Sequence, residues 1–276
     1  MRNNQRRLGQ PKSPQPSSPG AMAPNLAFAV PTEFVELPSQ GKFYPEDHPL
    51  HLQETVEIKF MTAKDEDILS SEALLKKGLA LDRLLESLLV EDMDPSSLLL
   101  GDRSAILIAA RISGYGDEYE VTFTCHHCFT ATEIAYDLKK TTLSDDCFDQ
   151  VFLKREGVFY NENTQTFDVK LPNSGVTVGL SLLDGEAERF LANNDKEKAI
   201  TSMLNTFVTK VNDNTDPKYI DDFVENMPVR DSRHLRTLYP KLIPKASLVE
   251  NFTCPECLHE KEMEVPLTAG FFWPKQ

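Results

Sequence analysis

The chain has 276 residues, 40% of them hydrophobic and 26% charged, enough for one or two domains with a buried core. Acids outnumber bases 43 to 29, and the formal charge of -14 repels phosphate backbones and anionic lipid, which argues against nucleic acid as the main partner. No apolar run approaches the roughly 20 residues of a membrane helix, so a transmembrane protein is excluded.

Residues 1–32 carry Arg2, Arg6, Arg7 and Lys12 and no acid, so the segment is basic while the remainder holds all the negative charge. It is rich in Pro and Ser and poor in large apolar side chains, which predicts a disordered tail, because little burial offsets the entropy of ordering it. No apolar stretch follows the arginines as in a secretory signal, so the expected compartment is the cytosol of the producing cell. Residues 33–116 read as an extended lead-in and a helical domain. The alternation of Val56, Ile58 and Phe60 predicts one strand. Thr62 with Asp65 then forms an N-terminal capping signal for a helix carrying Ile68, Leu69, Leu74 and Leu75, which stops at Lys76, Lys77 and Gly78. A second helix places Leu81, Leu84, Leu85, Leu88 and Leu89 on one side. Asp94 and Pro95 open a short turn, and a further helix starts at Asp102 or Ser104 and stops at Gly114 and Gly116.

From Glu118 the period changes to two. Tyr119, Val121 and Phe123 alternate, Cys125-His126-His127-Cys128 follows, and alternation resumes through Phe129, Ala131, Ile134 and Tyr136. Residues 117–138 are thus a strand, a knuckle and a strand. The same organisation recurs in 245–276 around Cys254-Pro255-Glu256-Cys257, followed by an aromatic ending with Phe271, Phe272 and Trp273, which either docks on the core or anchors a partner. Between them, 139–244 reads as an inserted α+β subdomain. It contains a hairpin turning at Pro172–Gly175, a helix capped by Asp184, and a longer helix capped by Asp195 that runs through Ile200, Leu204, Phe207 and Val211. Two more helices start at Asp216-Pro217 and Asp231.

The chemistry lies in the cysteines. A C-x-x-C knuckle points two thiolates at one position, and two knuckles complete the tetrahedral four-sulfur set that zinc prefers. Cys125, Cys128, Cys254 and Cys257 are therefore the expected ligands of a structural Zn2+, with the insertion accounting for the long gap between the pairs. Four protein ligands leave no open position for a catalytic water. A redox C-x-x-C opens a helix, whereas both pairs here lie between strands, which ranks a thiol oxidoreductase last. His126, His127 and His259 are assigned to surface or supporting roles, and Cys147 to a structural or free thiol. Nucleophile-elbow, P-loop and zinc-protease motifs are all missing, and the acid groups at Asp65–Asp67 and Asp145–Asp146 read as solvated helix starts. The expectation is a non-enzyme, without catalytic residues, a cofactor-binding pocket or a small-molecule substrate.

Three long segments carry a resemblance: FVELPSQGKFYP, IKFMTAKDEDILSSEALLKKGLALDRLLESLLVED and GDRSAILIAARISGYGDEYEVTFTC. They resemble the baseplate hub subunit or hub assembly proteins of T4-like contractile-tailed bacteriophages, densely over residues 33–136 and again at the second knuckle and its FFWP ending. The resemblance implies a late protein of tail morphogenesis, with other baseplate hub proteins as partners. It places the chain in the host cytoplasm during assembly or in the virion tail. The overall expectation is an α+β protein with a helical N-terminal layer and split four-cysteine hairpins. A cytosolic zinc-ribbon adaptor binding another protein or a nucleic acid is the alternative.

Overall fold

A computed structural model of the chain describes residues 30–144, 146–193, 199–264 and 269–272. Of the expected basic tail, residues 1–29 lie outside the described residues, as do Asp145, Asp195 and Trp273. The architecture is α+β, as expected: small antiparallel hairpins, one four-stranded sheet and nine α-helices among the described residues. None of these helices is long and apolar enough to cross a membrane.

The lead-in departs from its expected form. β1 (Thr32–Glu36) pairs antiparallel with β2 (Thr55–Lys59), setting Val35 opposite Val56, and both side chains are buried. The turns between them depend on Gly41, whose φ is +68° and where a Cβ would lie 2.3 Å from the Gln53 nitrogen. The first predicted helix is two: α1 (Ala63–Ser70) and α2 (Glu72–Lys77) break at Ser71, whose ψ of 105° is extended. Thr62 caps α1 through Asp65, whose Oδ2 accepts from the Thr62 nitrogen at 2.8 Å and hydroxyl at 2.7 Å. Gly78 ends α2 in the left-handed conformation, as its position predicts.

α3 (Ala80–Leu88) buries Leu84, Leu85 and Leu88, but Leu81 faces outward and Asp82 takes its place inside. Asp82 is compensated: Arg103 Nη2 lies 2.8 Å from one carboxylate oxygen and Arg189 Nη2 2.8 Å from the other. A 3-10 turn, Pro95–Ser97, is capped by Asp94. α4 (Leu100–Tyr115) begins ahead of Asp102, which is no cap but a buried hub. Its oxygens accept from the Ser39 nitrogen (3.0 Å), the Ser39 hydroxyl (2.6 Å) and the Tyr44 hydroxyl (2.7 Å), tying the β1–β2 connection to the helix.

β3 (Glu118–Thr124) and β4 (Ala131–Asp137) form the first knuckle hairpin. β5 (Thr142–Leu143) follows, and α5 (Gln150–Glu156), capped by Asp149, is an element the sequence reading did not assign. β6 (Val158–Asn161), β7 (Thr166–Lys170), β8 (Thr177–Leu180) and β9 (Val208–Val211) make an antiparallel sheet in chain order. The expected β7–β8 hairpin is its centre. α6 (Gly185–Asn193) is capped by Asp184, which accepts from the Ala187 nitrogen at 2.9 Å. α7 (Ala199–Phe207) ends at Phe207, because Val208 and Val211 leave the helix to pair with β8, so the expected run of helix to Val211 is corrected. α8 (Pro217–Glu225) starts on Asp216-Pro217 as predicted. α9 (Val229–Leu242) starts two residues ahead of Asp231, whose carboxylate instead accepts from the nitrogens of Asn173 (2.7 Å) and Ser174 (2.9 Å).

β10 (Ala246–Ser247) pairs with β5, so the strand following the first knuckle hairpin lies beside the strand preceding the second. β11 (Val249–Thr253) and β12 (Glu260–Glu264) then form the second knuckle hairpin, followed by a 3-10 turn at Ala269–Phe272. The core is continuous across these parts: Phe43 of the β1–β2 connection packs on Phe148, Tyr160 and Phe167 with ring centroids 5.0 to 5.4 Å apart.

Candidate metal centre

The two C-x-x-C pairs occupy equivalent turns. In the first, the Cys125 nitrogen donates to the Thr130 carbonyl at 2.9 Å and the Phe129 nitrogen to the Cys125 carbonyl at 2.8 Å. In the second, the Cys254 nitrogen donates to the His259 carbonyl and the Leu258 nitrogen to the Cys254 carbonyl, both at 2.9 Å. The bonds run between the same offsets from the first cysteine, so both knuckles share one backbone turn. Each needs a left-handed residue after its second cysteine to turn back into the next strand, and Phe129 (φ 60°) and Leu258 (φ 54°) supply it.

The hairpins meet through their apolar faces. Phe123 of β3 packs edge-on against Phe252 of β11 at 4.8 Å, which brings the tips together. There the four sulfurs lie within 4.8 Å of one another. Cys125 and Cys257 are 3.8 Å apart, and Cys128 and Cys254 3.6 Å. These distances exceed the roughly 2.0 Å of a disulfide. They match the edge of about 3.8 Å expected for a tetrahedron with metal–sulfur bonds of about 2.3 Å. The spacing and the all-thiol donor set fit a soft, four-coordinate ion.

Every sequence-predicted ligand residue is thus in the cluster, drawn together across 126 residues between Cys128 and Cys254. The histidines stay outside it. His127 stacks on His259 with ring centroids 5.4 Å apart, a contact between the two knuckles, and His126 meets the edge of Phe123 at 5.7 Å. Cys147 is buried away from the cluster and forms no disulfide. Two features of this end were missed in the sequence. Thr130 sits 3.4 Å from the Cys128 sulfur. Phe129, read there as part of an alternating strand, is the exposed turn residue of its knuckle, as is Leu258. The signal for both was their place directly after a C-x-x-C, where the backbone must reverse.

Behind the cluster, the aromatic ending docks on the body. Phe271 and Phe272 are buried, and Phe271 meets Tyr119 of β3 edge-on at 5.0 Å. Of the two roles considered for this segment, the phenylalanines take the first, and Trp273 lies outside the described residues.

The family model described as T4 bacteriophage base plate protein matches residues 30–273, nearly all of the chain. The chain belongs to that family. No curated protein and no solved structure matches it.

Proposed function

We propose that this member of the T4 base plate family is a non-enzymatic structural or assembly protein of the central hub of the tail base plate, with a structural zinc ion on Cys125, Cys128, Cys254 and Cys257. The family match across residues 30–273 carries the base plate role. The hub assignment draws on the resemblance of residues 33–136 to hub proteins. Zinc is favoured by four thiol donors at tetrahedral spacing, an arrangement that clamps two hairpins and leaves no ligand position for chemistry. The expected partners are other base plate proteins, and the expected location is the virion tail or its assembly intermediates in the host cytoplasm.

The Ser97–His48 pair is not arranged as a nucleophile and its base. His48 Nε2 lies 2.9 Å from the Ser97 hydroxyl, but His48 Nδ1 accepts from the Leu50 nitrogen at 3.1 Å. A ring nitrogen that accepts carries no proton, so the His48 proton is on Nε2 and is donated to Ser97, and burial lowers the His48 pKa in the same sense. The Ser97 proton goes to the Asp94 carbonyl at 2.7 Å. A ring that donates to the hydroxyl cannot serve as its base.

We divide the chain as read above, with 139–244 inserted between the two halves of a split ribbon. The β5–β10 pairing supports an insertion whose ends lie side by side. The packing of Phe43 on Phe148 and Phe167 gives the insertion a core shared with 33–116.

Quantitative mass spectrometry of purified phage particles, with a tagged pull-down from infected cells, tests the hub role. A fixed small copy number in particles makes the chain a hub subunit, and absence from particles with hub proteins in the pull-down makes it an assembly factor. Absence from both overturns the reading. Elemental analysis of the purified protein tests the ion, with one zinc per chain expected and iron or no metal contradicting it.

A further inference from the structure

At the residue after each knuckle, the side chain opposes what the backbone prefers. The left-handed conformation of Phe129 and Leu258 is open to glycine and penalised for any residue with a Cβ. Neither side chain offsets this by burial, since Phe129 is 78% exposed and Leu258 74%. Large apolar groups held in a strained conformation and left in solvent are costly twice over, and such outliers concentrate at binding sites. The sulfurs of the preceding residues, Cys128 and Cys257, lie within 4.8 Å of each other, so Phe129 and Leu258 follow directly from the paired knuckle tips.

The surroundings define the partner's chemistry. Across residues 121–134 and 249–262, Glu133, Glu256, Glu260 and Glu262 are exposed among the described side chains, against one exposed Lys or Arg, Lys261, and the exposed imidazoles of His126, His127 and His259. We propose that Phe129 and Leu258 are the apolar centre of a docking surface whose occupant is another base plate protein presenting an apolar pocket rimmed by Lys and Arg. The acidic rim steers that partner and sets its orientation, while the two apolar side chains supply the buried contact. A second copy of this chain is the poorer occupant, because a two-fold contact through this end sets the same carboxylates against each other. The proposal rests on the base plate reading.

The test measures binding of the individually purified base plate proteins of the same phage to the zinc-loaded full chain by interferometry. The wild type is compared with Phe129→Gly/Leu258→Gly and with Glu256→Lys/Glu260→Lys. We expect at least one base plate protein to bind the wild type, and to lose tenfold or more in affinity to each variant, while the glycine variant keeps its metal content and melting temperature. Wild-type affinity in the glycine variant overturns the docking surface and leaves the base plate role standing. If the glycine variant loses its metal, the charge-reversed variant decides, and wild-type affinity there overturns the proposal. Wild-type self-association that the glycines abolish assigns the surface to a second copy and overturns it as well. No binding of any base plate protein to the wild type overturns both the surface and the reading beneath it.

Discussion

Arg111 Nε donates to the Phe271 carbonyl oxygen at 2.9 Å, joining α4 to a residue 160 positions further along the chain. The same guanidinium donates to the Gly116 carbonyl at 2.8 Å and the Glu118 carbonyl at 3.1 Å. One buried cation therefore holds the end of a helix, the first strand of the first knuckle hairpin and the segment after the second. Burial pushes its pKa down, yet a guanidinium stays charged, so its donors must all find acceptors.

Replacing Arg111 with Lys tests that junction. A lysine keeps the charge but cannot reproduce the planar fork that reaches three carbonyls. The expected loss is about 2–4 kcal/mol, the range for leaving buried polar groups unpaired, read from the urea midpoint. An unchanged midpoint would show that the three bonds contribute nothing net.

The cysteine cluster should behave as a cross-link. Replacing Cys125 and Cys254 together with Ser removes one thiol from each knuckle, and metal should be lost. Closing a loop of this length is worth on the order of 4–5 kcal/mol in chain entropy, so the melting temperature should fall sharply, and a strong chelator should mimic the effect on the wild type. Equal melting curves with and without chelator would remove the clamp.

Metal uptake should weaken as pH falls. The Thr130 hydroxyl and then its backbone stabilise the Cys128 thiolate and hold its pKa down to about 6. The backbone at His259 draws Cys257 down, but burial and the other three thiols outweigh it and push it up to about 12. A cysteine binds metal as its thiolate, so on the proposed ligation the Cys257 proton must leave at neutral pH, and below about pH 6 the Cys128 proton must leave too. Apparent affinity should drop from pH 7.5 to 6.5 and more steeply to 5.5 in competition with a chromophoric chelator. The metal-linked part of the stability is lost over the same range. Flat affinity would contradict ligation by these thiols.

Two glycines separate space from conformation. At Gly101 a Cβ would stand 1.8 Å from the Pro244 carbonyl oxygen, where α4 meets the chain entering the second knuckle hairpin. At Gly78 nothing lies within 4 Å, and only the φ of +68° opposes a side chain. Gly101→Ala should cost at least about 3 kcal/mol, because backbone must move. Gly78→Ala should cost about 1–2 kcal/mol, the penalty of a Cβ in the left-handed region. Thermal melts of both variants make the comparison, and equal costs would mean that α4 can shift away from Pro244.

Local chemistry was legible wherever a short-range signal was decisive. Asp94, Asp184 and Asp216 cap the turns and helices at which they were expected. The alternation around each C-x-x-C gave both hairpins and, with them, the four cysteines that cluster at their tips. The reading went astray where two preferences compete over a few residues. Ser71 breaks one predicted helix into α1 and α2, and Val208 and Val211 satisfy a helical period but pair with a strand. Asp102 and Asp231 look like helix caps, since a carboxylate near a helix start stabilises it from inside or outside the first turn alike.

Taken alone, the sequence determined the α+β class, the paired knuckles and the four cysteines, because period, capping and ligand spacing are properties of neighbouring residues. Packing between distant elements puts Asp82 inside where Leu81 was expected and sets Asp102 against Ser39 and Tyr44. The same packing leaves Phe129 and Leu258 in solvent at the knuckle tips. Those outcomes depend on which partners arrive from 21 to 132 residues away. Burial of a charge or exposure of an apolar ring is settled by the whole packed surface, which no local pattern encodes.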